Sequence, residues 1–202
     1  VMFSLMNVHA ELYLGKSPAE IDKKYTDAAK ALGEAMAKRG HTLVFGGGAA
    51  GMMGGCAEGI YHGGGNIIGV VPKFFNVDGI LFDNCNELIR PDTMRERKQI
   101  MEEHSEAFIM TPGGIGTFEE FFEILTLKQL GRHNKAIVIF DVDGYYDDII
   151  SLLDSAVEKK FMTEGAKELF HYTTDIDEAL DYIENYVPKP FNILEMRRIK
   201  TK

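Results

Sequence analysis

Residues 107–120 read AFIMTPGGIGTFEE, which is a short apolar run, a glycine-rich turn and the beginning of a helical pattern. The same succession recurs along the chain. Apolar runs predict strands at 8–14, 42–45, 67–71, 87–90, 107–110 and 136–140. Apolar spacings of three and four residues predict helices at 19–38, 52–61, 93–103, 117–130, 146–159 and 176–186. This alternation predicts a single α/β domain, in which a doubly wound, mostly parallel sheet carries helices on both faces in the Rossmann-like manner.

The two ends of the chain lack this pattern. Residues 1–6 precede the first predicted strand, and Met6 is a second candidate for the natural start of the protein, which would make residues 1–5 foreign to it. Residues 188–202 contain two prolines followed by basic side chains, and we expect them to form a solvated terminal tail. The nucleotide-binding domain is therefore assigned to the chain as a whole, residues 1–202, with these two segments at its ends.

Composition excludes several classes of partner. The net charge of −9 argues against nucleic acid, because a phosphate backbone requires a basic surface. No apolar run approaches the roughly 18 residues of a membrane helix, so no membrane partner is expected. Cys56 and Cys85 form neither a CxxC pair nor a zinc-binding pattern, which favours a reducing, cytoplasmic location and no metal site.

The first glycine-rich turn follows the strand predicted at 42–45. Residues 46–54 read GGGAAGMMG and contain the GxGxxG spacing, which lets backbone N–H groups approach an anion at a helix N-terminus. A dinucleotide enzyme would carry an acid after the next strand, where this chain has Pro72 and Lys73. We therefore predict a nucleotide-binding turn with contacts from Gly46 and Gly47, and not an NAD site. In an alternative interpretation, these glycines only allow a helix and a strand to pack closely.

The second glycine-rich turn offers more chemistry. Residues 113–116 leave the backbone bare for a phosphate, and Thr117 is placed to cap the following helix. Glu120 lies one helical turn from Thr117 and on the same side, so its carboxylate can reach the sugar of a bound 5′-nucleotide. Glu119 points about 100° away and is the weaker candidate. Alternatively, Thr117 and Glu120 form a capping box.

A third segment places cations at the start of a helix. Asp92 or Thr93 is a suitable N-cap, and Met94 and Arg97 share one helical face. Arg97 and the adjacent Lys98 are unfavourable near the positive end of a helix dipole, and a bound phosphate would offset this. The alternative is a solvated charged face.

These three segments together resemble the LOG family, the cytokinin riboside 5′-monophosphate phosphoribohydrolases, whose members are often labelled lysine decarboxylases. Residues 112–120 match the family pattern PGGxGTxxE, residues 46–54 match GGGxxGxMG, and the resemblance continues through DGYYD at 143–147. It covers nearly the whole chain, from about residue 6 to residue 188. The doubly wound sheet of that family agrees with the alternation described above.

The resemblance implies that Arg97 and Glu120 are the catalytic pair and that the protein is a homodimer with its active site near the subunit interface. The residues that we expect to contact the substrate are Gly15, Ser17, Gly46, Gly47, Met94, Lys98, Gly113, Gly114, Ile115, Gly116, Thr117, Glu119 and Thr126. Two departures from the family pattern concern substrate positioning. Arg95 replaces the histidine of MHxRK, and Gly15-Lys16-Ser17 stands where the family has CGSS.

The predicted reaction is hydrolysis of the N-glycosidic bond of a purine nucleoside 5′-monophosphate, either AMP or an N6-modified adenine nucleotide. Glu120 would stabilise positive charge on the sugar, while Arg97 would anchor the phosphate or stabilise the departing base. This chemistry requires no cofactor. The alternatives are a non-catalytic nucleotide or cofactor carrier of the same fold and a broad AMP nucleosidase. Lysine decarboxylation is disfavoured, because nothing singles out a lysine that would hold pyridoxal phosphate.

Overall fold

A computed structural model describes residues 2–6, 21–75 and 79–188 of the chain. They form a seven-stranded sheet of order β4-β3-β2-β1-β5-β6-β7, in which every neighbouring pair is parallel. The strands are β1 Met2–Met6, β2 Thr42–Phe45, β3 Asn66–Val70, β4 Glu87–Ile89, β5 Ala107–Met110, β6 Ala136–Phe140 and β7 His171–Thr173. The helices are α1 Lys23–Lys38, α2 Gly51–His62, α3 Met94–His104, α4 Ile115–Gln129, α5 Asp147–Glu158 and α6 Ile176–Glu184, with a 3₁₀ helix at Glu164–Leu169. The predicted doubly wound α/β class is confirmed.

Most of the predicted strands are present. Those at 42–45, 107–110 and 136–140 have the predicted bounds. The strand predicted at 67–71 lies one residue earlier at both ends, and the strand predicted at 87–90 ends one residue earlier. The strand predicted at 8–14 lies outside the described residues. Residues 2–6, which we placed before the first predicted strand, instead form β1 at the centre of the sheet, where Ser4 pairs in register with Val44 and Phe108. The short strand β7 was not predicted.

The helices begin and end within two residues of the predicted positions, except that α1 begins at Lys23, four residues after its predicted start. Helix α1 ends at Lys38, two residues before Gly40, and Thr93 is the N-cap of α3 as expected. Thr93 and Glu96 form a reciprocal capping box there, since each side chain accepts a hydrogen bond from the other residue's backbone N–H. Helix α4 begins at Ile115, two residues before the predicted start.

Helices cover both faces of the sheet. Along β5, Ala107 and Ile109 pack into one buried cluster with α1, α2 and α6, while Phe108 and Met110 pack into another with α4. A third cluster lies beneath α3 and includes Met101. This alternation explains why the central strands are continuous apolar runs, because both faces of each strand are buried. No helix in the described part of the chain is both long enough and apolar enough to span a bilayer.

The carboxyl ends of the strands place the glycine-rich turns side by side. Strands β2 and β5 pair on either side of β1, so the turns that follow Phe45 and Met110 leave the same edge of the sheet. In open parallel sheets, ligands bind at this edge. The order in which strands are added also reverses at β1: β2, β3 and β4 extend to one side of it, and β5, β6 and β7 extend to the other. Such a switch point forms a crevice between adjacent loops.

Candidate active site

A buried ion pair joins α3 to α4 at this edge. Arg97 Nη1 donates to Glu120 Oε1 at 2.7 Å, and the two side chains are 3% and 6% exposed. Arg97 Nε also donates to the carbonyl oxygen of Val70, at the end of β3, at 3.2 Å. The structure therefore brings together the two residues expected to be catalytic. The alternative of a solvated charged face is wrong for Arg97, because its guanidinium lies inside the protein.

The Glu120 carboxylate has one bonded and one open oxygen. In the described part of the chain, Oε2 is buried and has no hydrogen-bond partner. Burial raises the pKa of Glu120 above its ordinary value, and the opposing charge of Arg97 offsets only part of that rise. A buried polar atom without a partner is uncommon and calls for a functional explanation. Such an oxygen retains the capacity to accept one further hydrogen bond, for example from a water molecule or a sugar hydroxyl.

The first glycine-rich turn packs directly against the arginine. A Cβ atom added at Gly46 would lie 3.3 Å from Arg97 Cζ and much closer to Arg97 Nη2, so only glycine leaves room for the guanidinium. A small cavity of about 40 Å³ is lined in part by Gly46, Met94 and Arg97. Gly47 is buried and has a positive φ of 79°. Close packing of a helix on a strand does not account for Gly46, since its neighbour here is the ion pair.

The second glycine-rich turn differs from its predicted form. Gly114 is the N-cap of α4 with an extended backbone, and as a glycine it makes no side-chain cap hydrogen bond. Thr117 is a buried residue of the first turn, and Glu120 bonds to Arg97. The predicted Thr117 cap and the alternative capping box are both wrong, because the bare Gly113–Gly114 backbone lets the helix begin earlier. Exposed backbone at Gly114 and Ile115 leaves this N-terminus open to an anion.

Two carboxylates of α4 offset the positive charge of Lys98. Its Nζ lies 2.6 Å from Glu119 and 2.7 Å from Glu123. Although burial lowers the pKa of Lys98, these two carboxylates raise it above its ordinary value on balance. Negative charge beside this cation, for which a bound phosphate was one candidate, is present here as Glu119 and Glu123. Lys98 and Glu120 also line a cavity of about 440 Å³ between α3 and α4. The other side chains that line it are Ser4, Arg95, Gln99, Met101, Glu102, Phe108, Glu123 and Ile124.

Some of the residues expected to contact the substrate do not lie at the Arg97–Glu120 ion pair. Thr126 is exposed and lies six residues beyond Glu120 on α4, which turns it about 120° around the helix axis. Glu119 is mostly exposed and faces Lys98. Gly15 and Ser17 lie outside the described residues. Among the residues that the structure describes, no group of three or more His, Cys, Asp or Glu side chains is arranged to hold a metal ion.

Residues that follow β6 hydrogen-bond to the backbone of the second glycine-rich turn, and no role was predicted for these residues. The Tyr145 hydroxyl donates to the carbonyl oxygen of Gly113 at 2.7 Å, and the Tyr146 hydroxyl donates to that of Thr111 at 2.5 Å. The buried Asp141 carboxylate accepts from the backbone N–H groups of Gly144 and Tyr146, both at 2.8 Å. The family-like string at 143–147 was a signal of this arrangement.

The sheet order, helices on both faces and two glycine-rich turns at the carboxyl edge define a Rossmann-like α/β protein. Solved structures share this fold. The molybdenum cofactor binding protein of Rippkaea orientalis matches with a TM-score of 0.64 at 17% identity, over 91% of this chain and 94% of that one. The Moco carrier protein of Chlamydomonas reinhardtii matches with a TM-score of 0.63 at 22% identity, over 91% and 94%. At these identities the likeness concerns the fold alone.

Sequence comparison narrows the class to a family. The family described as possible lysine decarboxylase matches residues 53–183. The probable cytokinin riboside 5′-monophosphate phosphoribohydrolase LOGL3 of Oryza sativa subsp. japonica is 39% identical over 81% of this chain and 78% of its own length. The cytokinin riboside 5′-monophosphate phosphoribohydrolase LOG2 of Arabidopsis thaliana is 37% identical over 82% and 78%. The chain therefore belongs to the LOG family of phosphoribohydrolases and is an enzyme of the hydrolase class. The predicted resemblance is confirmed.

Proposed function

We propose that this protein hydrolyses the N-glycosidic bond of a purine nucleoside 5′-monophosphate, AMP or an N6-modified adenine nucleotide, and releases the free base and ribose 5-phosphate. The names of its relatives support this reaction class. One observation carries the proposal, namely the buried Arg97–Glu120 pair with its open carboxylate oxygen between two glycine-rich turns. A carrier would need the anion-binding turns, but it would have no use for a desolvated carboxylate with a free oxygen.

The proposed mechanism assigns the chemistry to Glu120. Cleavage of a glycosidic bond passes through an oxocarbenium-like state with positive charge on the sugar, and a nearby carboxylate stabilises that charge. The oxygen of a water molecule bonds to the anomeric carbon while its proton passes to Glu120 Oε2, and the base leaves with the electrons of the broken bond. Because Arg97 holds Oε1, Oε2 is the oxygen that faces this task.

Arg97 has a defined part in the same scheme. Its positive charge opposes the rise in pKa that burial imposes on Glu120, so the carboxylate is ionised over a wider pH range. Its Nη2 lies against Gly46 of the first glycine-rich turn. We assign Arg97 a further contact with one of the two anionic groups of the reaction, the 5′-phosphate or the departing base. The N-terminus of α4 and the first glycine-rich turn would hold the phosphate, which provides binding energy for positioning.

We also propose that the enzyme is a homodimer with α4 at the contact. Ile115 and Phe122 of α4 and Leu130, its C-cap, lie on one side of the helix and are 80%, 37% and 52% exposed. An apolar stripe of this kind on a helix surface is typical of a protein–protein contact. Thr126 lies on the same stripe, away from the Glu120 of its own chain. In such a dimer, Thr126 would contribute to the site of the second copy.

The decisive experiment compares AMP and N6-isopentenyl AMP as substrates and follows the release of free base by chromatography. Wild-type protein should release base from at least one of them, and the ratio of the two rates identifies the preferred substrate. Glu120→Gln should reduce the rate by roughly 10² to 10⁴, the range expected for loss of a positioned proton acceptor. Glu58→Gln changes an exposed glutamate of α2 and serves as the matched control, which should retain the wild-type rate.

The possible results separate the competing functions. Base release that is lost in Glu120→Gln and kept in Glu58→Gln supports the hydrolase. Preference for AMP over the N6-substituted nucleotide would indicate the broad AMP nucleosidase. If calorimetry shows that wild-type protein binds both nucleotides but chromatography finds no free base, the hydrolase proposal fails and the carrier function replaces it.

A further inference from the structure

The two tyrosines behind the second glycine-rich turn hold its backbone at two points. Tyr146 is fully buried, and its hydroxyl bonds to the carbonyl of Thr111 at the end of β5. The half-exposed Tyr145 bonds to the carbonyl of Gly113, the residue before the N-cap of α4. Neither hydroxyl touches the Arg97–Glu120 pair in these contacts, so the mechanism above leaves both tyrosines without a role.

The contact made by Tyr145 controls a peptide plane. The carbonyl of Gly113 and the N–H of Gly114 belong to the same trans peptide, so they point in opposite directions. A hydroxyl that holds the carbonyl toward Tyr145 therefore turns the Gly114 N–H away from it. Glycine has few conformational restraints of its own, and a Cβ added at Gly114 would meet no atom within 4 Å. The hydrogen bond from Tyr145 therefore restrains the orientation of this peptide.

The turn that carries the tyrosines is itself firmly held. The Asp141 carboxylate binds two backbone N–H groups within it. Asp143 and Gly144 both have positive φ values, 60° and 73°, and for Asp143 this left-handed conformation is uncommon. An ion pair with Lys24 also restrains Asp143. A strained backbone conformation of this kind persists only when the surrounding structure supports it, and such conformations are frequent near functional sites.

From this geometry we infer that Tyr145 is a positioning residue for the phosphate of the substrate. Its hydroxyl orients the Gly113–Gly114 peptide so that the N-terminus of α4 presents its N–H groups to the phosphate, and Tyr146 anchors the start of the same turn. This inference rests on the proposed function, in that it takes the phosphate to bind at this helix N-terminus. It makes affinity for the phosphate, and not affinity for the base, depend on the Tyr145 hydroxyl.

The test measures the binding of the two proposed products separately, because neither is turned over. Calorimetry with ribose 5-phosphate and with adenine would be carried out on the wild-type protein, on Tyr145→Phe and on Tyr186→Phe. Tyr186 is a suitable control, because its hydroxyl donates to Asn134 at the opposite end of β6. Tyr145→Phe should weaken ribose 5-phosphate binding on the order of tenfold, the effect of one charge-assisted contact, and should leave adenine binding unchanged.

Kinetics provide a second readout. For the nucleotide substrate, Tyr145→Phe should raise KM with a smaller effect on kcat, since the carboxylate that performs the chemistry is untouched. The inference is overturned if ribose 5-phosphate binds Tyr145→Phe as tightly as wild type. It is also overturned if both products lose affinity equally, because that pattern indicates a merely structural role. A wild-type protein that binds ribose 5-phosphate but releases no base would refute the proposed hydrolysis while leaving this binding test intact.

Discussion

Replacing Gly46 by alanine should separate the catalytic pair without removing either member. The added Cβ would fall well inside 3.0 Å of Arg97 Nη2, a separation that Cβ atoms essentially never show, and 3.5 Å from Met53 Sδ. The guanidinium must therefore move by about 1 Å. It cannot do so freely, because Nε is bound to Val70 and Nη1 is bound to Glu120. The displacement should stretch or break the 2.7 Å contact with the carboxylate.

The expected magnitude follows from that displacement. A misplacement of ~1 Å in a catalytic group can reduce the rate by roughly 10²-fold, so kcat/KM of Gly46→Ala for the nucleotide should fall by about two orders of magnitude. Overpacking a core costs roughly 1–3 kcal/mol in the free energy of unfolding, which lowers Tm by some degrees but leaves the protein folded. Base release by chromatography and thermal unfolding by circular dichroism measure the two effects.

The control is Gly165→Ala in the 3₁₀ helix, where an added Cβ meets no atom within 4 Å. This variant should match the wild type in both assays. The reasoning is refuted if Gly46→Ala folds and hydrolyses its substrate at the wild-type rate, because the position of Arg97 would then have no bearing on catalysis. Equal loss of activity in both variants would also contradict it.

Three further predictions concern charge and assembly. Because burial raises the pKa of Glu120, the folded state holds its proton to higher pH, so the stability of wild type relative to Glu120→Gln should fall as pH rises above about 4.3. Lys128 is 2% exposed, and burial lowers its pKa to about 8. Lys128→Met should therefore be more stable at pH 7, and the wild type should approach it as pH rises from about 8 toward 10. Phe122→Asp should give a monomer in analytical ultracentrifugation, because it places a charge on the apolar stripe of α4.

Each of these predictions has a result that would contradict it. A constant stability difference between wild type and Glu120→Gln across pH 4 to 7 would mean that the carboxylate has its ordinary pKa. For Lys128, a loss of stability in the methionine variant would show that the cation–π contact with Tyr186, at 4.7 Å, outweighs burial of the charge. A dimer that survives Phe122→Asp but not Tyr61→Asp, a similarly exposed aromatic on α2, would place the contact elsewhere.

The strands of the sheet could be predicted from sequence where their burial requires a continuous run of apolar residues. Strands β2, β5 and β6 are covered on both faces, so each is a largely apolar run, which ends at Gly46, Thr111 and Asp141 respectively. The strand β7, His171–Thr173, has only three residues and a mostly polar sequence, so no periodicity distinguishes it from a loop. Residues 2–6 become central only through pairing with β2 and β5, which lie far away in the sequence.

The candidate site divides in a similar way. Its glycine-rich turns could be located from sequence, because the spaced glycines, the preceding strand and the following helix all lie within a few residues of one another. The burial of Arg97 could not be inferred locally, since its neighbours Arg95, Glu96 and Lys98 are those of a solvated helix and its partner lies 23 residues away. The start of α4 was misplaced because Thr117 and Glu120 fit a capping pattern, and only the actual path of the Gly113–Gly114 backbone excludes it.

The central position of β1 also has a consequence for how the enzyme acquires activity during folding. The backbone N–H of Met2 bonds to the carboxylate of Glu106, and these residues are 104 positions apart. Contacts this distant form slowly, because closing a long loop costs entropy before the contact stabilises the chain. The two helices that the ion pair joins, α3 and α4, both contact β1. Refolding enzyme should therefore regain helical circular dichroism well before it regains turnover. During synthesis, a nascent chain that ends before β5 would contain Arg97 but would lack Glu120, the carboxylate with which it pairs.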